Sequence, residues 1–175
     1  MKNLLMCAVI LALSSVKAHA LSRADELRQA YNLSGHSEGG SFAEVYTSSS
    51  ETDGRPSAGS IYFLLGAGEI SHFHEIDCEE IWYYHEGCGL KITVLADGKM
   101  TQYLLGADIR KGQRHMAVIP KGAIFAAENL NNDGFTFVSC ATSPNFRYEG
   151  FRLVGKKEIR ERFPDVADDI DYLAY

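Results

Sequence analysis

Short apolar segments separated by turn residues recur from Ser41 to Thr142, and this regularity restricts the fold more than any other feature. The strands predicted on this basis are Phe42–Ser48, Gly59–Leu65, Ile70–His74, Glu80–Glu86, Leu90–Leu95, Met100–Leu105, His115–Ile119, Ile124–Glu128 and Gly134–Thr142. Helices are predicted only near the ends, at Ser22–Tyr31, which Ser22 can cap, and at Lys156–Phe163. ADGK at Ala96–Lys99 predicts a hairpin turn between two strands. Many short strands with terminal helices indicate an all-β sandwich or barrel.

The first twenty residues resemble a targeting segment rather than part of the fold. An apolar stretch from Leu4 to Leu13 is too short to span a bilayer, and Ala18-His19-Ala20 is typical of a cleavage site. We therefore expect a cleaved signal peptide, residues 1–20, and a secreted or periplasmic protein. The remaining residues, 21–175, suffice for one domain.

Net charge argues against two classes of partner. The formal charge of −6 becomes −8 when the leader is removed with its two lysines. Binding to nucleic acid or to an anionic membrane requires clustered lysine and arginine. We expect neither partner for the mature chain.

Three cysteines remain after the leader, which is an odd number for an exported chain. Cys78 and Cys88 flank one predicted strand, whose length keeps them too far apart to form a disulfide. Cys140 is predicted to be a buried free thiol.

The stretch GEISHFHEIDCEEIWYYHEG carries the densest set of reactive side chains. Strand alternation places His72 and His74 on one face, and Glu80, Trp82 and Tyr84 on one face of the next strand. If both faces point inward, two imidazoles and a carboxylate converge. This is a partial ligand set for Zn, Fe, Mn, Ni or Cu. The alternative is that two alternating histidines occur by chance and bind nothing.

The same stretch resembles the first cupin motif, and GQRHMAVIPKGAIFAAEN resembles the second. The opening LSGHSEGGSFAEVYTSS and the late segment CATSPNFRYEGF are similar to the cupin-5 branch, in the same order along the chain. The resemblance implies a jelly-roll double-stranded β-helix and a homodimer. Its relatives have been compared with sugar-nucleotide epimerases and phosphosugar isomerases, and this implies a carbohydrate-like ligand in the barrel.

Three positions depart from the pattern that the resemblance implies. Phe125 stands where cupins usually have a metal-binding histidine, Tyr83 replaces a histidine of the branch, and Met116 replaces a pocket glutamine. His115 would supply another nitrogen only if its strand faces inward. The metal set His72, His74 and Glu80 is therefore incomplete.

Other candidates for the ligand pocket each have a structural alternative. Glu38 precedes two glycines that permit a close backbone approach, although it can also be a solvated turn residue. Trp82 and Phe125, together with Tyr84, form either an aromatic wall or part of the core. Asn129 belongs either to the pocket or to a turn. Met116 is a further candidate for contact with the ligand.

Three functions remain open from the sequence. The first is a sugar epimerase or isomerase in which His74 is the base, Glu80 orients it, and Tyr84 is the acid. The second is a metal-dependent oxygenase or lyase that uses His72, His74 and Glu80 around one divalent ion. The third is a non-catalytic binding or structural module whose barrel is plugged by Phe125 and Met116. Whether the protein is an enzyme is left open.

Overall fold

The computed structural model describes residues 21–175; the predicted leader, residues 1–20, lies outside them. The strands in chain order are β1 Ser34–Gly35, β2 Ser41–Thr47, β3 Glu51–Thr52, β4 Arg55–Pro56, β5 Gly59–Leu65, β6 Ile70–Glu75, β7 Glu79–Gly87, β8 Leu90–Ala96, β9 Lys99–Leu105, β10 Met116–Ile119, β11 Ile124–Asn129, β12 Thr136–Ser143 and β13 Arg152–Leu153. The α-helices are α1 Arg23–Ala30, α2 Lys156–Arg162 and α3 Ala167–Ile170. Short 3₁₀ turns lie at Ile109–Lys111, Tyr148–Gly150 and Asp171–Leu173.

Two antiparallel sheets make up most of the fold. The order is β1-β2-β5-β12-β7-β10 in a six-stranded sheet and β13-β6-β11-β8-β9 in a five-stranded sheet, and β3 and β4 form a separate hairpin. From β5 to β8 and from β10 to β12, successive strands alternate between the two large sheets. This alternation is the jelly-roll arrangement, and it confirms the predicted all-β class.

All nine predicted strands are present, with ends that differ by no more than two residues. The strands that were not predicted are β1, β3, β4 and β13, which have only two residues each and therefore show no periodicity. Local signals at turns and caps are also confirmed. Ser22 caps α1 by accepting the amide of Asp25 at 3.2 Å. Asp97 and Gly98, at φ of 52° and 69°, form the hairpin turn between β8 and β9.

The main core lies between the two sheets. Phe63 and Trp82 project from the six-stranded sheet against Ile92 and Phe125 from the five-stranded sheet, and all four are at most 2% exposed. Apolar burial of this kind is the main source of stability for such a sandwich. The core fixes the inner face of the six-stranded sheet, on which the candidate site is built.

Helices cover the outer faces of both sheets. Leu27 of α1 packs with Leu64 and Phe137 outside the six-stranded sheet. Ile159 of α2 packs with Phe73 outside the five-stranded sheet, together with the C-terminal segment. None of the helices within residues 21–175 has the length and apolarity needed to cross a membrane.

A bulge in β6 corrects the strand alternation expected from the sequence. The pairing of β6 with β11 shifts register between Phe125 and Ala127, so that one residue of β11 faces both His72 and Phe73. An extra residue reverses the side-chain alternation beyond it. His74 consequently points into the sandwich, whereas Phe73 and His72 both point toward the C-terminal segment. The prediction that His72 and His74 share a face is wrong.

Candidate functional site

A cavity opens on the inner face of the six-stranded sheet, between β2, β5, β7 and β12 and the segment 144–148. The space open to the centres of water molecules is about 60 Å³. Aromatic side chains form much of its wall, among them Phe42, Phe63, Trp82, Phe146 and Tyr148. Glu38 and Glu80 supply carboxyl groups to this apolar enclosure. A concave apolar pocket with a few convergent polar groups is typical of a small-molecule site.

Glu38 is the most constrained of these groups. Its side chain is 10% exposed and accepts a hydrogen bond from Ser71 Oγ at 2.8 Å through Oε1. Its Oε2 lies 3.3 Å from His74 Nε2 and 3.3 Å from His36 Nδ1. The carboxylate is therefore held between two imidazole rings and one hydroxyl.

Hydrogen bonding also fixes a proton between Glu38 and His74. His74 Nδ1 lies 2.7 Å from the backbone oxygen of His72, which can only accept, so Nδ1 carries a proton. The other ring nitrogen, Nε2, faces the Glu38 carboxyl group. Two acceptors do not attract each other, and one proton must therefore lie between them. Glu38 and His74 act as one proton-holding pair.

Two glycines allow the Glu38 backbone to lie against the sheet. Gly39 has φ of +110°, and a Cβ there would come within 2.0 Å of the Ile70 oxygen. Gly40 has φ of +72°, a left-handed conformation that disfavours side chains. The backbone amide of His72 donates to the backbone oxygen of Glu38 at 2.8 Å. The close approach expected from the sequence is present, and it places Glu38 at the cavity.

The environments of the two carboxyl groups displace their pKa values in opposite directions. Burial raises the pKa of Glu38, but the charge of His74 and the hydrogen bond and charge of His36 outweigh it, so this pKa lies below its usual value. Burial, and then the negative charge of Glu38, raise the pKa of Glu80 to about 8, despite an opposing hydrogen bond from Trp82. At neutral pH, Glu38 is ionised and Glu80 is mainly protonated.

Trp82 and Phe125 lie in successive layers behind the cavity. Trp82 Nε1–H donates to Glu80 Oε2 at 2.9 Å, and its ring packs edge-on against Phe63 at 5.7 Å between centroids. Trp82 thus belongs to both the wall and the core. Phe125 is fully buried, does not line the cavity, and lies 4.1 Å from the His74 ring. His74 is likewise behind Glu38 rather than at the cavity surface.

Three predicted pocket residues lie elsewhere, which corrects the sequence-based assignment. The hydroxyl of Tyr84 donates to the Gly87 oxygen at 2.7 Å, at the end of β7 remote from Glu80, and Tyr84 does not line the cavity. Asn129 is buried and donates to the Gly66 oxygen at 2.8 Å, which supports the turn alternative. Met116 is 48% exposed on an edge strand. Strand parity alone did not show how far along its strand each residue lies from the cavity.

The residues present do not form the metal set that the resemblance implied. His72 Nδ1 lies 3.1 Å from the Leu173 oxygen, on the side of the C-terminal segment, so it is separated from His74 and Glu80. Phe125 occupies the place of a donor, and His115 is exposed. Within residues 21–175, no three His, Cys, Asp or Glu side chains are grouped to hold a metal ion. The donor chemistry therefore does not fit a cupin metal centre.

Several site residues were missed by the sequence analysis. His36 lies among the rings of Phe42, Phe151 and Tyr148, at centroid distances of 4.8, 5.6 and 6.1 Å. A single histidine in a loop shows no periodicity, and only its closeness to Glu38 in the sequence could have indicated it. Phe146 and Tyr148, which line the cavity, come from a late segment that the sequence analysis used only for the resemblance.

An ion-pair network anchors this aromatic segment. Asp77 accepts two hydrogen bonds from the Arg55 guanidinium at 3.1 and 2.9 Å, and two from Arg147 at 3.0 and 2.7 Å. Arg55 Nε also donates to the backbone oxygen of Asn145. Arg55 thus holds the cavity wall in position.

All three cysteines of the described residues are free, and Cys140 is buried as predicted. Cys140 lines the cavity next to Glu80. Burial, followed by the charge of Glu80, raises the pKa of its thiol well above the usual value. Cys140 is therefore a neutral wall group rather than a nucleophile.

Comparison with known proteins agrees with the fold and the motifs. The family model Cupin_5, described as Cupin superfamily (DUF985), matches residues 25–154. The uncharacterized protein YML079W of Saccharomyces cerevisiae is 28% identical over an alignment that covers 87% of each chain.

Solved structures give the same result. The crystal structure of protein SO0799 from Shewanella oneidensis matches with a TM-score of 0.83 and 34% identity, over 89% of this chain and 99% of that one. A hypothetical protein from Leishmania major matches with a TM-score of 0.80 and 29% identity, over 87% of this chain and 98% of that one. The jelly-roll fold and the matching family model together show that this chain belongs to Cupin_5, the DUF985 family of the cupin superfamily.

Proposed function

We propose that this cupin binds a small, carbohydrate-like carbonyl compound in the cavity and catalyses proton transfer on it, as an epimerase or isomerase. The observation that supports the proposal is the pair of buried carboxyl groups, Glu38 and Glu80, which face one cavity with pKa values displaced in opposite directions. Two groups that differ in this way at the same pH are suited to act as base and acid.

In this proposal the base and the acid are not the His74 and Tyr84 expected from the sequence. Glu38, ionised and at the cavity surface, is the base that removes a proton from the carbon next to the substrate carbonyl. Glu80, protonated at neutral pH, is the acid that gives its proton to the carbonyl oxygen and so produces an enediol. Collapse of the enediol returns a proton to carbon and restores both groups.

The two histidines position the base. His74 and His36 both contact Glu38 Oε2, and because His74 already holds protons at both ring nitrogens, only His36 is available to share the proton that Glu38 accepts. Ser71 holds the other oxygen and prevents rotation of the carboxylate. His74 is therefore a positioning residue behind the base, in place of the base itself.

The cavity walls are compatible with a carbohydrate-like ligand. The rings of Trp82 and Tyr148 offer apolar faces to the C–H groups of a sugar, while Thr142 and Asn145 offer polar groups to its hydroxyls. The metal-dependent alternative has no support in the donor groups described above. A non-catalytic binding module remains the alternative that the experiment below distinguishes.

The test is proton exchange with solvent. The protein is incubated in D2O with a panel of unphosphorylated aldoses and ketoses, and loss of the C–H signal next to the carbonyl is followed by proton NMR. Glu38→Gln and Glu80→Gln should each reduce exchange by about 10²–10⁴-fold. Glu79→Gln, an exposed neighbour on the same strand, is the control and should retain the full rate.

Exchange that persists in the Glu38→Gln variant would contradict the assignment of the base. Binding without exchange would favour the non-catalytic module. The expected export and the expected homodimer remain predictions, which depend respectively on residues 1–20 and on the resemblance.

A further inference from the structure

The lining of the cavity has an uneven balance of charge. Its titratable lining includes three glutamates, Glu38, Glu44 and Glu80, and one histidine, His36. None of the described residues that line it is a lysine or an arginine. A phosphate or carboxylate group that enters would therefore meet carboxyl groups without a compensating cation.

The nearest arginines do not change this balance. Arg55 and Arg147 stand behind Asn145, outside the lining, and both guanidiniums are directed at Asp77. Asp77 accepts from both guanidiniums, so this group of three side chains keeps one net positive charge, but it lies outside the cavity lining and its donors are directed at Asp77. The lining itself therefore offers no cation to a phosphate.

Charge compensation differs among the three glutamates. Glu38 is neutralised by contact with two imidazole rings, and Glu80 is buried and hydrogen-bonded to Trp82. Glu44 is exposed on β2 at the rim, where its full negative charge faces an incoming ligand. A cleft lined by one sign of charge and closed by low-dielectric walls focuses its field, so an anion at the mouth is repelled.

We propose that this cavity selects against anionic ligands, that its ligand carries neither phosphate nor carboxylate, and that Glu44 is the residue that enforces this selection. The inference deepens the proposed function by naming the substrate class, an unphosphorylated compound that is uncharged or cationic. It rests on the proposed function only because it concerns the same cavity.

The chain contains its own reporter for the test. Trp82 is the only tryptophan in the sequence, and it lines this cavity. Collisional quenching of its fluorescence therefore measures how readily a small solute enters. Acrylamide serves as the neutral quencher, caesium as the cationic quencher and iodide as the anionic quencher, each with the full-length protein at pH 7. The ionic strength is held constant because salt screens charges over about 8 Å.

The measured quantity is the ratio of the iodide to the caesium quenching constant, divided by the same ratio for free N-acetyltryptophanamide. In the native protein this normalised ratio should be reduced on the order of 25-fold, because one unit charge about 4 Å away in water lowers iodide quenching and raises caesium quenching by roughly fivefold each. Glu44→Gln should bring it close to one, and Glu44→Lys should raise it further. Glu79→Gln removes the same charge outside the cavity and should leave the ratio unchanged.

Each other outcome would overturn the inference. A normalised ratio near one in the native protein would show that the cavity does not discriminate by charge. A low ratio that Glu44→Gln leaves unchanged would show that Glu44 is not responsible. If neither acrylamide nor caesium quenches Trp82, solutes do not enter the cavity and it is not a ligand site. Because quenching requires no turnover, its result is independent of the proton-exchange test.

Discussion

Replacement of Glu80 by glutamine tests the electrostatics of the site most directly. The amide has nearly the same shape as the carboxyl group and keeps an oxygen to accept the Trp82 Nε1–H bond, now 2.9 Å long. It removes only the ability to ionise. Because burial and the charge of Glu38 raise the pKa of Glu80 from 4.5 to about 8, the substitution changes how stability depends on pH.

The sign and size of the effect follow from proton linkage. In the unfolded chain Glu80 loses its proton near pH 4.5, but in the folded protein it keeps the proton up to about pH 8. Between these values the folded state binds more protons, so a rise in pH destabilises it. Above pH 4.5, each pH unit lowers the free energy of unfolding by about 1.4 kcal/mol, so the total loss at pH 7 is roughly 3 kcal/mol. Below about pH 4.5 the cost is absent, and above about pH 8 it no longer grows.

Urea unfolding followed by Trp82 fluorescence gives the free energy of unfolding at several pH values between about 5 and 9. The difference between Glu80→Gln and the native protein should increase steadily with pH and level off near pH 8. Glu79→Gln, on the exposed face of β7, should show no such trend. A difference that is independent of pH would refute the raised pKa, and with it the assignment of Glu80 as an acid.

Two further substitutions test the backbone and the missing metal donor. Gly39→Ala places a Cβ within 2.0 Å of the Ile70 backbone oxygen and should lower the free energy of unfolding by several kcal/mol. This loss should be roughly twice or more that of the control Gly68→Ala, where φ is +70° but the space is open. Equal losses in thermal unfolding would show that φ alone matters. Phe125→His adds an imidazole nitrogen beside His74, whose ring lies 4.1 Å from that of Phe125. The untagged variant should therefore retain divalent metal in elemental analysis, whereas the native protein retains none. Retention equal to that of the native protein would show that Phe125 is not what prevents metal binding.

Local signals in the sequence were sufficient for most of the fold. Strand length, alternation and turn residues identified nine strands, and the Asp97-Gly98 pair identified a hairpin. Ser22 identified the start of the first helix. These features depend on residues close together in the chain, and their physical causes, namely side-chain alternation, left-handed turn residues and capping, act at short range.

The site was predicted only in part. Glu38, Glu80 and Trp82 line the cavity, and His74 lies directly behind it. The prediction for His72 was wrong because a β-bulge adds one residue to its strand, and the sequence contains no local signal for that bulge.

The sequence by itself determined the all-β class, the positions of nine strands, and the glycines that bring Glu38 against β6. Only the tertiary structure decided which carboxyl group is ionised. The pKa of Glu38 depends on His36 and His74, and the pKa of Glu80 depends on its burial and on the charge of Glu38. Except for the contact of Glu38 with His36, these contacts join residues that are far apart in the chain, and both burial and Coulomb interaction are set by distance in space.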